Sequence, residues 1–342
     1  MNARPVAILG CGMMTGVGLT AEATCAAIRC AIDNFRETRF IARGGEWIIG
    51  SEVPLEEPWR GIPKLVRLLA GPLRECLDQI PDVPPGSIPI LLCVAEEDRP
   101  GRLEGLGNPL FFQACGLLGV HFHEKSRVVA QGRVGGAVGL HHASSLIHEE
   151  GFPHVIVAGV DSYLVAETLR AYDERERLLT PDNSNGFIPG EAGAAVLVGS
   201  PDAGDVIVCH GFGFAVEKAT IDSEEPLRAD GMVAALQQAL AAGRLTMAQI
   251  GYRMTDISGE QYAFKEADLA VSRILRDRHE FQDLWHPADC IGETGAAAVP
   301  GMLAVALLAA RKGYAPGDPV IAHSANDDGR RAALVLSAGG RV

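Results

Sequence analysis

The feature that most constrains this chain is an internal repeat. Three stretches recur in the same order in the two parts of the sequence. The run VAILGCGMM near the start is echoed by VIVCHGFGF at 206–214, and GAAVLVGS at 193–200 is echoed by RAALVLSA at 331–338. A helix-like stretch with its following strand at 135–159 is echoed at 295–323. Three echoes in register predict a duplicated chain with halves at 1–200 and 201–342.

Both halves alternate short β-branched runs with alanine-rich helical stretches. Runs that are apolar on both faces and alternate with helices predict an α/β fold whose central strands are covered on both sides. Two such halves packed together would bring their buried helices and strand ends to a common centre. We therefore expect a functional site where the N-termini of these helices converge.

Charge and composition exclude several classes of partner. The 342 residues carry a formal net charge of −13, whereas nucleic acids and anionic membranes bind basic surfaces, so neither is expected as a partner. The longest apolar stretch, Gly295–Ala310, contains Pro300 and is too short to span a bilayer. The eight cysteines are scattered without a CxxC pair. This pattern predicts reduced core thiols in a cytoplasmic protein, without a metal site.

A glycine pattern after the first strand invites a dinucleotide-binding interpretation. Gly10, Gly12 and Gly16 have the spacing GxGxxxG. No acidic residue ends a second strand about twenty residues later, where it would hold the ribose hydroxyls. We favour a plain glycine turn between strand and helix, and we expect no cofactor. Neither a P-loop nor a GxSxG motif is present.

One stretch carries a specific resemblance. NGFIPGEAGAAVLV at 185–198 resembles the signature DGFVMGEGAGVLVLE of the β-ketoacyl synthases of the thiolase superfamily. Three further stretches, at 4–28, 132–159 and 290–309, resemble in the same order the family's opening strand, its nucleophile-elbow helix and its GHTLGAAG helix. The resemblance implies the thiolase fold, a duplicated α/β/α/β/α five-layer sandwich, over essentially the whole chain.

The catalytic side chains of that family are replaced here. A β-ketoacyl synthase uses a cysteine thiolate at a helix N-terminus and two histidines. The family's ACATGTHAIG aligns without a gap to AQGRVGGAVG at 130–139, which puts Gln131 at the cysteine position. The stretch TDISG puts Ser258 at the place of the first histidine, and GETG puts Glu293 at the second. Because an amide cannot attack a thioester, no acyl-enzyme is expected at Gln131.

The spacing within the repeat relates two of these positions. Gln131 precedes Gly151 by twenty residues, and Glu293 precedes Gly313 by the same number. This spacing predicts that Gln131 and Glu293 occupy equivalent elbows in the two halves.

The closing motif of the family is also altered. Its NSFGFGGTNA becomes HSANDDGRRA at 323–332, and Asp327 stands where the second oxyanion donor would be. By resemblance, Asp327, Gly329 and Arg330 are candidate substrate-binding residues. The charged run YDERERLL at 172–179 is typical of a solvated surface.

Two residues near the second elbow have alternative roles. Glu293 could act as a general base, but a helix N-terminus stabilises its charged form, so we favour a capping role. Cys290 could replace the missing nucleophile, although a lone cysteine beside an apolar helix is more often buried and inert.

The resemblance leaves three hypotheses for function, and it leaves open whether the chain is an enzyme. Glutamine at the cysteine position occurs in synthase-like domains that decarboxylate malonyl groups or serve as chain-length partners. The decarboxylating kind relies on the missing histidines, which favours a non-condensing protein of fatty-acid or polyketide-type metabolism. Such a protein would be a partner subunit, or would bind acyl carrier protein or an acyl-thioester. By resemblance it would dimerise through the strand at Val128–Ala130, as a homodimer or with an active synthase.

The second hypothesis is an active acyltransferase or thioester hydrolase. Its site would be rebuilt around Glu293, Ser258 and Cys290. The third is a structural scaffold whose pocket is filled.

Overall fold

Strands and helices alternate along most of the chain, as the sequence pattern predicts. The computed structural model describes residues 4–201, 207–277 and 282–339, so Val206, at the start of the second-half echo, lies outside the described residues. The strands are β1 (Val6–Thr15), β2 (Arg36–Ile41), β3 (Trp47–Gly50), β4 (Ile90–Val94), β5 (Arg127–Ala130), β6 (His154–Ser162), β7 (Glu191–Gly199), β8 (Ile207–Val216), β9 (Tyr252–Thr255), β10 (Asp283–Trp285), β11 (Val320–Ala325) and β12 (Arg330–Ala338). The helices are α1 (Ala21–Arg29), α2 (Gly61–Asp78), α3 (Asn108–Leu118), α4 (Gly135–His148), α5 (Ala166–Glu174), α6 (Asp230–Ala242), α7 (Gln261–Ile274), α8 (Ala288–Ile291) and α9 (Ala298–Arg311).

The sheet shows the duplication directly. Its first half has the strand order β5-β4-β6-β7-β1 and its second half β10-β9-β11-β12-β8. Numbered in chain order, each half therefore reads 3-2-4-5-1. In both halves the last strand runs antiparallel to its two neighbours and the other pairs are parallel. A short antiparallel pairing of β1 with β8, from Val6↔Cys209 to Ile8↔Ile207, joins the halves.

Three apolar clusters define five layers. The outer cluster of the first half packs α2 and α3 on one face of its strands, and that of the second half packs α6 and α7 on its own. The central cluster holds α4, α9 and the inner faces of both halves. The five-layer sandwich implied by the resemblance is thus confirmed, while the proposed division of the chain at residue 200 stays a prediction.

The composition of α4 and α9 explains why they lie at the centre. α9 is built almost entirely of alanine, glycine and aliphatic residues, and eleven of its consecutive residues (Val299–Ala309) are buried. α4 combines such residues with three histidines and two serines, and nine of its fourteen residues are buried. A helix that is apolar all round, as α9 nearly is, finds no favourable surface position, so it is enclosed between the two halves. Small residues also let the two backbones lie close to the neighbouring strands.

The structure also bears on the predictions made for the cysteines and for a membrane-spanning segment. Seven of the eight cysteines are buried, and Cys30 is exposed. Within the described ranges, no helix is both long and apolar enough to cross a bilayer.

Candidate functional site

The elbow of the first half begins directly after β5. Gln131 is half-buried and leads into a 3₁₀ turn, Gly132–Val134, from which α4 continues. Gly132 has a φ of +54°, in the left-handed region that favours glycine. Asn326, in the loop between β11 and β12, holds this elbow from the other half. Its amide donates to the Gln131 carbonyl at 2.9 Å, and its side-chain oxygen accepts from the backbone N–H of Val134 at 3.1 Å.

The elbow of the second half has the same backbone, shifted by one residue from the predicted position. Thr294 (φ −115°, ψ 10°) matches Gln131 (φ −129°, ψ 20°), and Gly295 at φ +53° matches Gly132. The predicted equivalence of Gln131 and Glu293 is therefore wrong by one residue. α4 and α9 have equal lengths, but the first half carries one extra residue between the helix and the following glycine, so counting back from that glycine misaligned the elbows.

The structure brings Glu293 and Ser258 together. The Glu293 carboxyl group is buried and accepts three hydrogen bonds. Ser258 Oγ donates to Oε2 at 2.9 Å, Arg133 Nη1 donates to Oε2 at 3.1 Å, and the backbone N–H of Gly295 donates to Oε1 at 2.8 Å. The last of these contacts satisfies the first backbone N–H of the 3₁₀ turn Gly295–Ala297, and Glu293 lies one residue before the N-cap, Thr294.

Glu293 is the end of a run of alternating charges, which we call the charged chain: Glu293, Arg133, Asp327, Arg177 and Glu260. Arg133 also pairs with Asp327, and Arg177 Nη1 contacts the other Asp327 oxygen at 2.6 Å. Arg177 in turn holds Glu260 through two bonds of 2.7 Å. Burial favours the neutral form of Asp327, but the two guanidinium groups outweigh it and hold the pKa of this carboxyl group well below its usual range.

The space beside the charged chain is small. A cavity of about 30 Å³ is lined by Arg133, Arg177, Asp327 and Ser258, and by residues of β9 and β11. A volume of this size accommodates about two water molecules. Substrate the size of an acyl-thioester therefore finds no room among these side chains as they stand.

Asp256 and His323 also line this cavity. Burial, helped by the nearby Glu293 carboxylate, raises the pKa of Asp256 to about 7 against the pull of Arg133. Burial also lowers the pKa of His323 to about 3. His323 Nδ1 lies 3.3 Å from Thr255 Oγ1, and its Nε2 has no hydrogen-bond partner among the described residues. The imidazole is therefore neutral near pH 7 and is not a charged participant.

The three candidate substrate-binding residues have different surroundings. Asp327 lies within the charged chain, whereas Gly329 and Arg330 do not line the cavity. Gly329 has its carbonyl bonded to the backbone N–H of Glu217 at 2.7 Å, and the half-exposed Arg330 pairs with Asp328 at 3.0 Å. Only Asp327 of these three is close to Glu293 and Ser258.

Cys290 lies apart from Ser258 and Glu293, among the residues of a separate pocket. It is 5% exposed, and burial raises the pKa of its thiol to about 11. The thiol is therefore protonated at neutral pH and does not resemble an activated nucleophile.

The sequence interpretation missed most of the charged chain. The run at 172–179 was expected to be a solvated surface. Residues 174–176 are exposed as expected, but Tyr172, Arg177 and Leu178 are all 5% exposed or less, which corrects the prediction at both ends of the run. Arg177 is buried because Asp327 and Glu260 surround its guanidinium. Arg133 lies within the stretch that was aligned with the family's elbow. A charged residue two positions after Gln131 was therefore the signal in the sequence that could have revealed the charged chain.

A second set of charges supports the elbows from behind. Asp161, at the end of β6, accepts from the backbone N–H of Ala296 at 3.0 Å and from Arg99 at 3.1 Å. Arg99 also binds Glu96 through contacts of 2.8 and 2.9 Å. Within the described part of the chain, no group of three or more His, Cys, Asp or Glu side chains is arranged to hold a metal ion.

Solved structures of ketosynthases share this architecture. For a ketosynthase (ApeO) in complex with its chain length factor (ApeC) from Xenorhabdus doucetiae, the TM-score is 0.76 at 16% identity, with 98% of each chain covered. For the ishigamide ketosynthase/chain length factor it is 0.78 at 16% identity, with 99% of this chain and 100% of that chain covered. This chain has the ketosynthase fold.

A third comparison covers less of the other protein. The ketosynthase from module 6 of the bacillaene synthase from Bacillus subtilis 168 matches with a TM-score of 0.74 at 14% identity, over 98% of this chain and 72% of that chain. No family model matches the chain, and no curated protein matches its sequence. The ketosynthase fold alone does not decide the chemistry, because one fold hosts many functions, so the side chains of the site must decide it.

Proposed function

We propose that this chain is a non-condensing partner subunit of fatty-acid or polyketide-type metabolism. One observation carries the proposal: Ser258 and Glu293, which the resemblance aligns with the family's two histidines, are bonded to each other, while the resemblance aligns Gln131 with the family's thiolate. An amide, a hydroxyl and a carboxylate tied to Arg133 cannot reproduce a thiolate assisted by two imidazoles. The charged chain occupies the space beside them.

The free edge of the sheet at β5 supports the proposal of a partner subunit. β5 pairs with β4 on one side and is the end strand of the sheet in the described ranges. An unpaired edge offers backbone donors and acceptors to a strand of another chain. Two of the similar structures are described as a ketosynthase with its chain length factor. We infer that this chain dimerises through β5, with a second copy or with an active ketosynthase.

The proposal is tested by mixing the purified chain with acyl- and malonyl-thioesters and with acyl carrier protein, followed by intact-protein mass spectrometry. We expect no covalent adduct, no free acid and no condensation product. Analytical ultracentrifugation in the presence and absence of a purified ketosynthase then measures association. A covalent acyl adduct, or no association with itself or with the ketosynthase, would count against the partner role.

A second candidate is thioester hydrolysis, because a serine hydroxyl bonded to a buried carboxylate at 2.9 Å is the geometry of a nucleophile and its base. Against it, Arg133 and the Gly295 N–H already occupy the Glu293 carboxylate. If hydrolysis is observed, Ser258→Ala should abolish it. The matched variant Ser87→Ala, in an exposed turn before β4, should leave it unchanged.

A further inference from the structure

A second cavity lies away from the charged chain, between α1, the end of β10, α8 and the C-terminal end of α9. Its volume is about 500 Å³, and none of the five residues of the charged chain lines it. Cavities of this size are typical of small-molecule sites. A cavity of about 150 Å³ already holds a six-carbon ring, so 500 Å³ has room for on the order of twenty carbon-sized atoms.

The wall of this cavity is a column of stacked side chains. The guanidinium of Arg29 lies over the Tyr314 ring at 4.4 Å. The Tyr314 and Trp285 rings are nearly parallel, with an interplanar angle of 25° and centroids 6.3 Å apart. On its other side, Trp285 packs against Tyr252, with ring centroids 5.0 Å apart. Because the rings support one another, the wall is formed before a ligand arrives, which lowers the ordering cost of binding.

The floor is apolar. Cys25 and Cys290 are 3% and 5% exposed, and Val305 is buried beside them. Burial raises the pKa of the Cys25 thiol to about 12 and that of Cys290 to about 11, so both are protonated and behave as small apolar groups. The floor therefore suits a hydrocarbon chain or an aromatic ring.

The charges at the rim are unequal. Asp289 is held by His286 Nδ1 at 2.8 Å. Arg29, in contrast, has no carboxylate or hydrogen-bond partner among the described residues, although Tyr314 fixes the position of its guanidinium. The rim therefore carries charges of both signs, and the guanidinium that is fixed over Tyr314 is the contact that complements an anionic head group.

We propose that this cavity binds an amphiphilic carboxylate, with its apolar body against Trp285 and Tyr314 and its carboxylate at Arg29. This cavity is separate from the elbow at Gln131, and ligand binding in it does not depend on the partner role proposed above.

The test titrates the whole chain with dodecanoate below its critical micelle concentration, followed by tryptophan fluorescence and by calorimetry. We expect saturable binding of one equivalent. Since Trp285 lies in the wall, Trp285→Phe should remove the fluorescence response while calorimetry still detects binding. Absence of saturable binding by calorimetry would overturn the proposal.

Two arginine variants locate the head group. Arg29→Gln should weaken dodecanoate binding about fivefold, as expected for an exposed ion pair, and should leave dodecanol binding unchanged. The matched control is Arg39→Gln, because Arg39 also lies over an aromatic ring, that of Phe40 at 4.6 Å, outside this cavity. An equal loss in both variants, or no loss in Arg29→Gln, would contradict the assigned carboxylate contact.

A third variant locates the apolar body. Ile28 is half-buried in the cavity wall, so Ile28→Trp should fill the space without disturbing the core. We expect dodecanoate binding to fall more than tenfold while the thermal midpoint stays close to that of the unmodified chain. Unchanged binding in a folded Ile28→Trp protein would place the ligand elsewhere and overturn the assignment.

Discussion

The two elbows share a backbone and differ in their side chains. Each runs from a residue in the bridge region, Gln131 or Thr294, into a glycine with a φ of +54° or +53°, then through a 3₁₀ turn into a central helix. A Cβ at either glycine would overlap a carboxylate oxygen, from Glu96 in the first half and from Asp161 in the second. At the first elbow a neutral amide, Asn326, accepts from the turn. At the second, the carboxylates of Glu293 and Asp161 do so.

The side chains of the two elbows complement each other in charge. The first elbow contributes a cation, Arg133, and the second contributes Glu293, so the two halves bind each other through their elbows. Two elbows with a similar backbone thus carry an attachment between the halves. We infer that this attachment stabilises the fold, and the following variants test that inference.

The largest expected effect comes from Arg133→Met, which leaves the buried Glu293 and the half-buried Asp327 without this guanidinium. Breaking a buried ion pair on one side typically costs about 3–5 kcal/mol, and we expect a loss in that range in urea unfolding. Arg330→Met, which removes a half-exposed partner of Asp328, should cost less than about 1 kcal/mol. Similar losses for both arginines would show that the charged chain does not join the elbows.

The second effect concerns the elbow glycines. Gly295→Ala combines a strained positive φ with an overlap against Asp161, which is buried and fixed by Arg99, so we expect a loss of about 2–4 kcal/mol. Gly132→Ala should cost less, since the Glu96 side chain retains some exposure and can move. Gly313→Ala, at φ +68° with open space around it, measures the strain alone. If all three variants lose equally, the carboxylates do not define the elbows.

The third effect is a pH dependence of the free energy of unfolding. It arises from Asp256, near the acidic second elbow, and so distinguishes this elbow from the basic first one. Folded Asp256 keeps its proton to about pH 7, whereas an unfolded aspartate releases it near pH 4. The folded state therefore binds more protons between these values, and the contribution of Asp256 to stability falls as the pH rises through that window. Between pH 4 and 7, the free energy of unfolding of Asp256→Asn should rise by about 1–3 kcal/mol relative to that of the unmodified chain.

The measurement for Asp256→Asn is urea unfolding at several pH values. The neutral His323 works in the opposite direction, because its lowered pKa makes stability rise with pH. It is present in both proteins, so the difference between them isolates Asp256. A pH-independent difference would mean that Asp256 is ionised in the folded protein and is not coupled to Glu293.

The smallest effect is expected from Gln131→Cys. A thiol at this elbow has no imidazole at the positions of Ser258 and Glu293, so condensation should stay undetectable in a mass-spectrometric assay with acyl- and malonyl-thioesters. An active ketosynthase in the same assay provides the positive control. Formation of a ketoacyl product by the variant would refute the alignment that places Gln131 and the two partner residues.

The fold was largely predictable because its signals are local and repeated. Runs that cannot face water predict the strands around GAAVLVGS and RAALVLSA and the apolar helix α9, and the glycine- and alanine-rich start of α4 echoes that of α9. The residue-by-residue correspondence of the two elbows was less predictable. One extra residue after α4 shifts this correspondence without changing the hydrophobic pattern. The contact between Ser258 and Glu293 was expected only through the resemblance.

Local patterns of residues are sufficient to predict a duplicated α/β chain with small-residue helices at its centre, and residue 131 is a glutamine, without a thiol. Which charges meet beside the elbows depends on the packing of the two halves. Arg177 and Glu260 are distant in sequence from Arg133 and Glu293, and no local pattern reveals that Asp327 lies between the two arginines. Ion pairs between distant segments depend on how the halves pack, because a charge buried at the centre is stable only where the fold supplies its opposite.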